Sequence, residues 1–169
     1  LIMPSGAVLD WMVERAGEEV RERIRTLSAD ADAQYCKVLH YDVSELVPMV
    51  SCPDAPDNVK PVTDVVGTYV DQVHIGSCSN GRFEDIKDAY DVLMAGGGKV
   101  DPATRVIITP STTEVQLACA KAGMIERFLE AGIVFTNPTC ALCTAEHYGA
   151  LPNGDVGCAT NNRNFIGKV

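Results

Sequence analysis

Residues 72–95, QVHIGSCSNGRFEDIKDAYDVLMA, decide the fold of this chain. In the first five residues apolar and polar side chains alternate, which is typical of a strand, and residues 77–81 are predicted to form a turn. From residue 82 to residue 95 apolar side chains recur at helical spacing, and three consecutive glycines then end the predicted helix. A strand, a turn and a helix in this order form one unit of an α/β fold.

The same order of elements recurs downstream. Arg105–Thr109 is a second predicted strand, and helices are predicted over 112–122 and 124–131. Ile133–Phe135 is a third predicted strand. Repetition of strand, turn and helix predicts an α/β fold with a mainly parallel β-sheet that helices cover on both faces.

The upstream part of the chain has a different pattern. Residues 7–27 carry apolar side chains at three- and four-residue spacing, which predicts an amphipathic helix that Gly17 weakens or splits. A short strand is predicted over 35–41, and four prolines make residues 47–61 an extended connector. We therefore expect a helical lead-in over 1–34, either the end of a preceding domain or a wrap-around, and the α/β domain over 35–169.

The composition excludes several classes of function. The 169 residues include 14 Lys and Arg against 23 Asp and Glu, which gives a net charge of -9. Nucleic acid is not an expected partner, because binding it requires a basic face that neutralises phosphates. The chain contains neither an apolar run long enough for a membrane span nor a recognisable secretory signal, so a cytoplasmic protein is expected. Because the sequence does not begin with Met, we also expect a fragment of a longer protein.

The seven cysteines differ in their predicted positions. Cys78 falls in the turn after the first strand, and Cys140 and Cys143 fall in the turn after the third. Since sites in open parallel sheets form at the carboxyl ends of the strands, these three thiols are expected to converge. Cys119 lies mid-helix and is predicted to be core. Three further cysteines have no partner at ligand spacing: Cys36, Cys52 and Cys158.

Three thiolates without an evident fourth ligand are chemically informative. A structural zinc site requires four closed ligands, whereas a 4Fe-4S cluster held by three cysteines leaves one iron open as a Lewis acid. A zinc-binding or thiol-redox module that uses Cys140 and Cys143 stays open as an alternative. His147 follows Cys143 by four residues but is not expected to be a ligand, and His74 is predicted to be a polar position on a strand.

Three motifs carry a resemblance to a known family: GSCSNGR at 76–82, PTCALC at 138–143 and TNNRNFIGK at 160–168. In their order and spacing they resemble the aconitase family, in particular the large subunits of 3-isopropylmalate dehydratase and homoaconitase. The resemblance covers nearly the whole chain but only part of such a large subunit.

This resemblance implies a hydro-lyase that isomerises a hydroxy di- or tricarboxylic acid by removing and re-adding water. It implies a 4Fe-4S cluster on Cys78, Cys140 and Cys143, with an open iron that binds substrate. Asn162 and Arg163 match the family positions near cluster and substrate, and an arginine fork suits a carboxylate. Lys168 stands where the family usually has a second substrate-binding arginine, so it keeps the charge without the bidentate geometry.

The resemblance also implies that parts of the enzyme lie elsewhere. The catalytic base is expected on a swivelling domain or separate small subunit, and further catalytic groups in preceding domains of the same large subunit. The fragment alone is therefore expected to be inactive, to contain no catalytic residue, and to lose its cluster easily to oxygen. The motifs do not decide which hydroxy acid is the substrate.

Overall fold

The computed structural model describes residues 6–25, 29–53, 55–144 and 147–162. No helix within these ranges is both long and apolar enough to cross a bilayer. The helices and strands are, in chain order, α1 (Gly6–Ala16), α2 (Glu19–Arg25), β1 (Met49–Ser51), β2 (Val59–Pro61), β3 (Gln72–Gly76), α3 (Ser77–Asn80), α4 (Phe83–Ala95), β4 (Arg105–Thr109), α5 (Thr113–Lys121), α6 (Met124–Glu130), β5 (Val134–Phe135) and β6 (Gly157–Ala159). Two 3-10 helices cover Val62–Val65 and Ala141–Cys143.

The chain divides into two units between Glu45 and Leu46. In the first unit, Gly17 has a φ of 88° and separates α1 from α2, so the predicted helix is split at that glycine. The strand predicted over 35–41 is wrong, because these residues pair with no strand in the described chain and most of their side chains are exposed.

The second unit begins with a hairpin. Strands β1 and β2 pair antiparallel, with Met49 opposite Pro61, and the Cys52 amide donates to the Asn58 carbonyl at 2.8 Å. The prediction for 47–61 was right about extended backbone but missed that two of its parts pair with each other.

The central sheet has four parallel strands in the order β5-β4-β3-β6. Ile75 lies opposite Ile108, and Ile108 lies opposite Phe135. The predicted parallel α/β fold is confirmed, and β3, β4 and β5 lie where the sequence indicated. Strand β6 was not predicted, because Gly-Cys-Ala has neither the length nor the β-branched residues of a strand signal.

Helices were predicted on both faces of the sheet, but among the described residues of the second unit the helices of the core lie on one face only. Helices α4, α5 and α6 pack on one face, where Ile86, Ile108 and Phe128 are fully buried. The opposite face carries polar side chains, and Gly149 lies against it, beside Gln72 and Ile107. The helical core thus covers one face of the sheet, and the polar side chains lie on the other face.

Candidate functional site at the carboxyl edge of the sheet

The first cysteine turn begins where β3 ends. Gly76 has a φ of 106°, and a Cβ there would overlap the carbonyl oxygen of Thr109 at the end of β4. At Gly81, on the other side of the turn, a Cβ would lie 2.5 Å from the carbonyl oxygens of Ser77 and Thr109. Two glycines thus let the turn close against β4 while Cys78 remains exposed between them.

The second cysteine turn follows β5. The Ala141 amide donates to Thr139 Oγ1 at 2.9 Å, and the Cys143 amide donates to the Cys140 carbonyl at 2.9 Å. Ala141 has a φ of 43°, a left-handed conformation that costs a non-glycine residue roughly 1–3 kcal/mol. This tight turn leaves Cys140 exposed and buries Cys143.

A side-chain contact joins the two turns. Ser77 Oγ lies 3.7 Å from Cys143 Sγ, and both residues are buried. Ser77 directly precedes Cys78 and has a φ of 75°, so its own strained backbone conformation directs the first turn toward the second. The structure therefore brings the two cysteine-bearing turns together at one edge of the sheet.

The thiols in these turns suit a soft metal centre. All three are free cysteines, and neither 76–82 nor 137–143 contains an acidic residue that would favour a hard cation. Within the described ranges, no three His, Cys, Asp or Glu side chains form a group that could hold a metal ion. The donor chemistry and the adjacent turns fit a thiolate-ligated centre, whose ligands would be completed by the two exposed thiols.

The segment at 160–162 is bound to the first cysteine turn. Thr160 Oγ1 accepts from the Gly76 amide at 2.9 Å, and the Thr160 carbonyl accepts from the Asn80 side chain. Asn162 Oδ1 accepts from Asn80 Nδ2 at 3.3 Å, and Asn162 Nδ2 donates to Ser79 Oγ at 3.1 Å. The Asn162 carboxamide is thus held by the two residues that follow Cys78. Arg163 and Lys168 lie outside the described residues.

The remaining candidates lie apart from these contacts or have other surroundings. Cys119 is fully buried in α5, as predicted, and desolvation raises the pKa of its thiol. His147 is exposed in a bend, and it lines an open cleft with Asn137 and Tyr148. The cysteines without an assigned role are exposed or half-buried: Cys36, Cys52 and Cys158.

Sequence reasoning missed two residues that shape the site. Ser77 provides the contact between the turns, but a serine beside a cysteine carries no signal for a left-handed backbone. His74 was predicted as a polar strand position, and the structure shows it on β3 but fully buried. Burial lowers the pKa of its imidazole.

Comparison with known proteins assigns the family. The model of the aconitase family (aconitate hydratase) matches residues 63–169. The whole chain is 42% identical to the probable methanogen homoaconitase large subunit of Methanothermobacter thermautotrophicus, of which it covers 38%. It is also 38% identical to the 3-isopropylmalate dehydratase large subunit of Sulfurihydrogenibium sp., covering 38% of it, and 40% identical to that of Geobacter sulfurreducens, covering 40%. The chain thus spans about two fifths of the length of these relatives. With a family model that matches well over half of its residues, the chain belongs to the aconitase family.

Proposed function

We propose that this chain is the cluster-binding part of a hydro-lyase that isomerises a hydroxy di- or tricarboxylic acid by dehydration and rehydration. Cys78, Cys140 and Cys143 are the proposed ligands of a 4Fe-4S cluster. The contact between Ser77 and Cys143, which places the two cysteine turns side by side in a chain of this family, carries the proposal.

Each proposed ligand has a defined environment. A 4Fe-4S cluster held by three thiolates supplies an iron with an open position, which acts as a Lewis acid toward a hydroxyl and a carboxylate. Cys143 supplies a thiol from the buried side of the site, and Cys78 and Cys140 supply theirs from the exposed side. Asn162 holds the turn of Cys78 through Ser79 and Asn80.

Substrate binding is proposed for Asn162, Arg163 and Lys168. Each carboxylate of a di- or tricarboxylic acid requires a cation or several hydrogen-bond donors. The guanidinium of Arg163 offers a planar fork that matches a carboxylate, and the Lys168 ammonium offers a single charge. Asn162 bonds to Ser79 and Asn80, so its carboxamide would meet the substrate beside the turn of Cys78.

The rest of the enzyme is proposed to lie outside these residues. The relatives named as large subunits are more than twice the length that this chain matches. We therefore propose that residues 35–169 contain the iron-sulfur-binding domain, whose compact unit starts at Leu46, and that 1–34 end a preceding domain or wrap around this one. The catalytic base would come from a small subunit or swivelling domain, so the chain alone is expected to have no hydro-lyase activity.

Anaerobic reconstitution tests the cluster assignment. The reduced chain is incubated with iron and sulfide, and bound iron, bound sulfide and the visible spectrum are measured. The wild-type chain should bind iron and sulfide in the ratio of a 4Fe-4S cluster, and C78A, C140A and C143A should each lose it. C36A is the control for an exposed thiol and C119A the control for a buried one, and both should load like wild type.

The alternatives give different results in the same experiment. A zinc module would bind one zinc without colour and would take up no sulfide. A thiol-redox module would turn over a small disulfide and would require only Cys140 and Cys143. Failure of the wild-type chain to take up iron and sulfide would overturn the cluster assignment.

A further inference from the structure

A row of buried polar side chains crosses the sheet just below the cysteine turns. His74 and Thr109 are fully buried and Thr136 is 8% exposed. They come from β3, β4 and the residue after β5, and they lie on the face opposite the helical core. Buried polar groups in a sheet require hydrogen-bond partners, so each member of this row must be satisfied by its neighbours.

The hydrogen bonds in this row form one continuous chain. His74 Nε2 lies 3.1 Å from Thr109 Oγ1, Thr109 Oγ1 lies 2.9 Å from Thr136 Oγ1, and Thr136 Oγ1 lies 3.1 Å from the Asn137 carbonyl oxygen. Thr136 Oγ1 also lies 3.4 Å from the Ile108 carbonyl oxygen. Since both of its possible acceptors are carbonyls, Thr136 donates to a carbonyl and accepts from Thr109, which in turn accepts from His74.

This direction also assigns the tautomer of His74. Nδ1 is buried and has no hydrogen-bond partner among the described residues, whereas Nε2 faces Thr109. A neutral imidazole carries one N–H, and placing it on Nε2 satisfies the donor that would otherwise be buried unpaired. Burial lowers the pKa of His74, which agrees with a neutral ring.

The two ends of the chain lie next to the two cysteine turns. His74 is four residues before Cys78, and its carbonyl accepts from the Thr160 amide at 3.0 Å. Asn137 is three residues before Cys140, and its side chain accepts from Gln116 Nε2 at 3.0 Å. The row therefore connects the start of one turn to the start of the other, across three strands.

We propose that His74 is a positioning residue that, through Thr109 and Thr136, fixes the distance between the turn of Cys78 and the turn of Cys140 and Cys143. The biological use of this distance rests on the proposed function, because a three-cysteine cluster requires both turns at once. The distance between the two turns determines how the three thiols can bind one ion together, and this is measured without a cluster.

Arsenite is a suitable probe, because trivalent arsenic binds up to three thiolates and forms no iron-sulfur cluster. The reduced chain is titrated with arsenite, and the ultraviolet absorption of the As–S bonds gives affinity and stoichiometry. The variants are H74L, which removes the first donor, H74Q, which returns an N–H near the Nε2 position, and T136V, which removes the last hydroxyl. Circular dichroism confirms folding, and T136V carries the test by itself wherever H74L does not fold, because it removes one hydroxyl and keeps a β-branched side chain of similar size.

The expected pattern depends on whether Cys78 is present. H74L and T136V should bind arsenite about tenfold more weakly than wild type, which corresponds to one lost hydrogen bond of ordinary strength, and H74Q should bind within about twofold of wild type. In a C78A background the site keeps only the two thiols of one turn, Cys140 and Cys143, so H74L and T136V should then cause no further loss. A role limited to general stability would weaken binding equally in both backgrounds.

Three results would overturn the inference: arsenite affinity of H74L and T136V equal to wild type, equal losses with and without Cys78, or no contribution of Cys78 to binding in the wild-type chain. The proposed function fails separately, through absence of iron and sulfide uptake by a wild-type chain that binds arsenite with three thiols. The two ideas are therefore distinguished by the same set of proteins.

Discussion

Glycine is required beside Cys78 for two physical reasons, a left-handed backbone and a lack of space for a Cβ. Three glycine variants separate these reasons. Gly97 has a φ of 92° and no atom near an added Cβ, so G97A introduces only backbone strain. Gly81 has a φ of -121°, so G81A introduces only the contact of its Cβ with two carbonyl oxygens at 2.5 Å. Gly76 combines a φ of 106° with overlap onto the Thr109 carbonyl oxygen, so G76A introduces both.

The expected losses of unfolding free energy differ accordingly. A left-handed alanine costs about 1–2 kcal/mol, which is the expected effect of G97A. Overpacking against backbone that must shift costs about 1–3 kcal/mol, which is the expected effect of G81A. G76A should lose about the sum, roughly 2–5 kcal/mol, and with about 2–4 °C per kcal/mol for a chain of this size its Tm should fall by about 10 °C.

Thermal unfolding followed by circular dichroism measures these shifts, and iron uptake during reconstitution measures the consequence for the turn. G76A and G81A displace the backbone beside Cys78, so both should take up less iron per folded chain, whereas G97A should load like wild type. Equal Tm values for G76A and G97A would refute the reasoning, because the carbonyl of Thr109 would then impose no steric limit on the turn.

Three further predictions concern single side chains. Because burial lowers the pKa of His74 below 6.5, the stability that depends on its neutral ring is complete above pH 6.5 and is lost as pH falls toward the folded-state pKa. The slope of the unfolding free energy against pH is at most about 1.4 kcal/mol per pH unit, and H74Q should remove the part that His74 contributes. C119S should lower the free energy of unfolding by about 1–3 kcal/mol, measured by urea titration, because it buries a hydroxyl in α5. Metal uptake by C119S should equal that of wild type. N162A should lower the free energy of unfolding by about 1 kcal/mol and also speed cluster loss, because it removes the hydrogen bonds that hold the turn of Cys78. The control T112A removes the cap that Thr112 Oγ1 provides to the Val115 amide, and it should cost as much stability with no change in cluster retention.

The parallel sheet was predictable because its strands carry local signals. The strand at Arg105–Thr109 is a short apolar run, and in the strand at Gln72–Gly76 apolar and polar side chains alternate. Turn residues follow both strands, and apolar side chains at helical spacing come next. Strand β6 lacks such a signal because its pairing with β3 is set by the hydrogen bonds of Thr160 and Asn162 to the first turn, which are tertiary contacts. The strand wrongly predicted over 35–41 shows the reverse case, since an alternating pattern forms no strand without a partner edge.

The candidate site was predictable in its elements and not in its geometry. Topology alone places the turns of Cys78 and Cys143 at one edge of the sheet, because strands in a parallel sheet end on the same side. The contact between Ser77 and Cys143 depends on the left-handed backbone of Ser77 and Ala141. Neither serine nor alanine favours that conformation, so the sequence does not predict it. The burial of His74 likewise depends on which residues cover that face, and periodicity identifies a face without saying what covers it.

Unfavourable backbone conformations occur together at the carboxyl edge of the sheet. Among the described residues other than glycine, only Ser77 and Ala141 have positive φ, and each lies in a cysteine turn. Such strain persists only where surrounding structure holds it, and here the supports are distinct: the close approach of β4 at Gly76, and the hydrogen-bond row that ends on Asn137. The helical core on the opposite face contains no comparable strain. The helical core thus lies on one face of the sheet without such strain, whereas the strained residues lie in the two turns that carry the proposed cluster ligands, where the proposed function would require thiols at fixed positions.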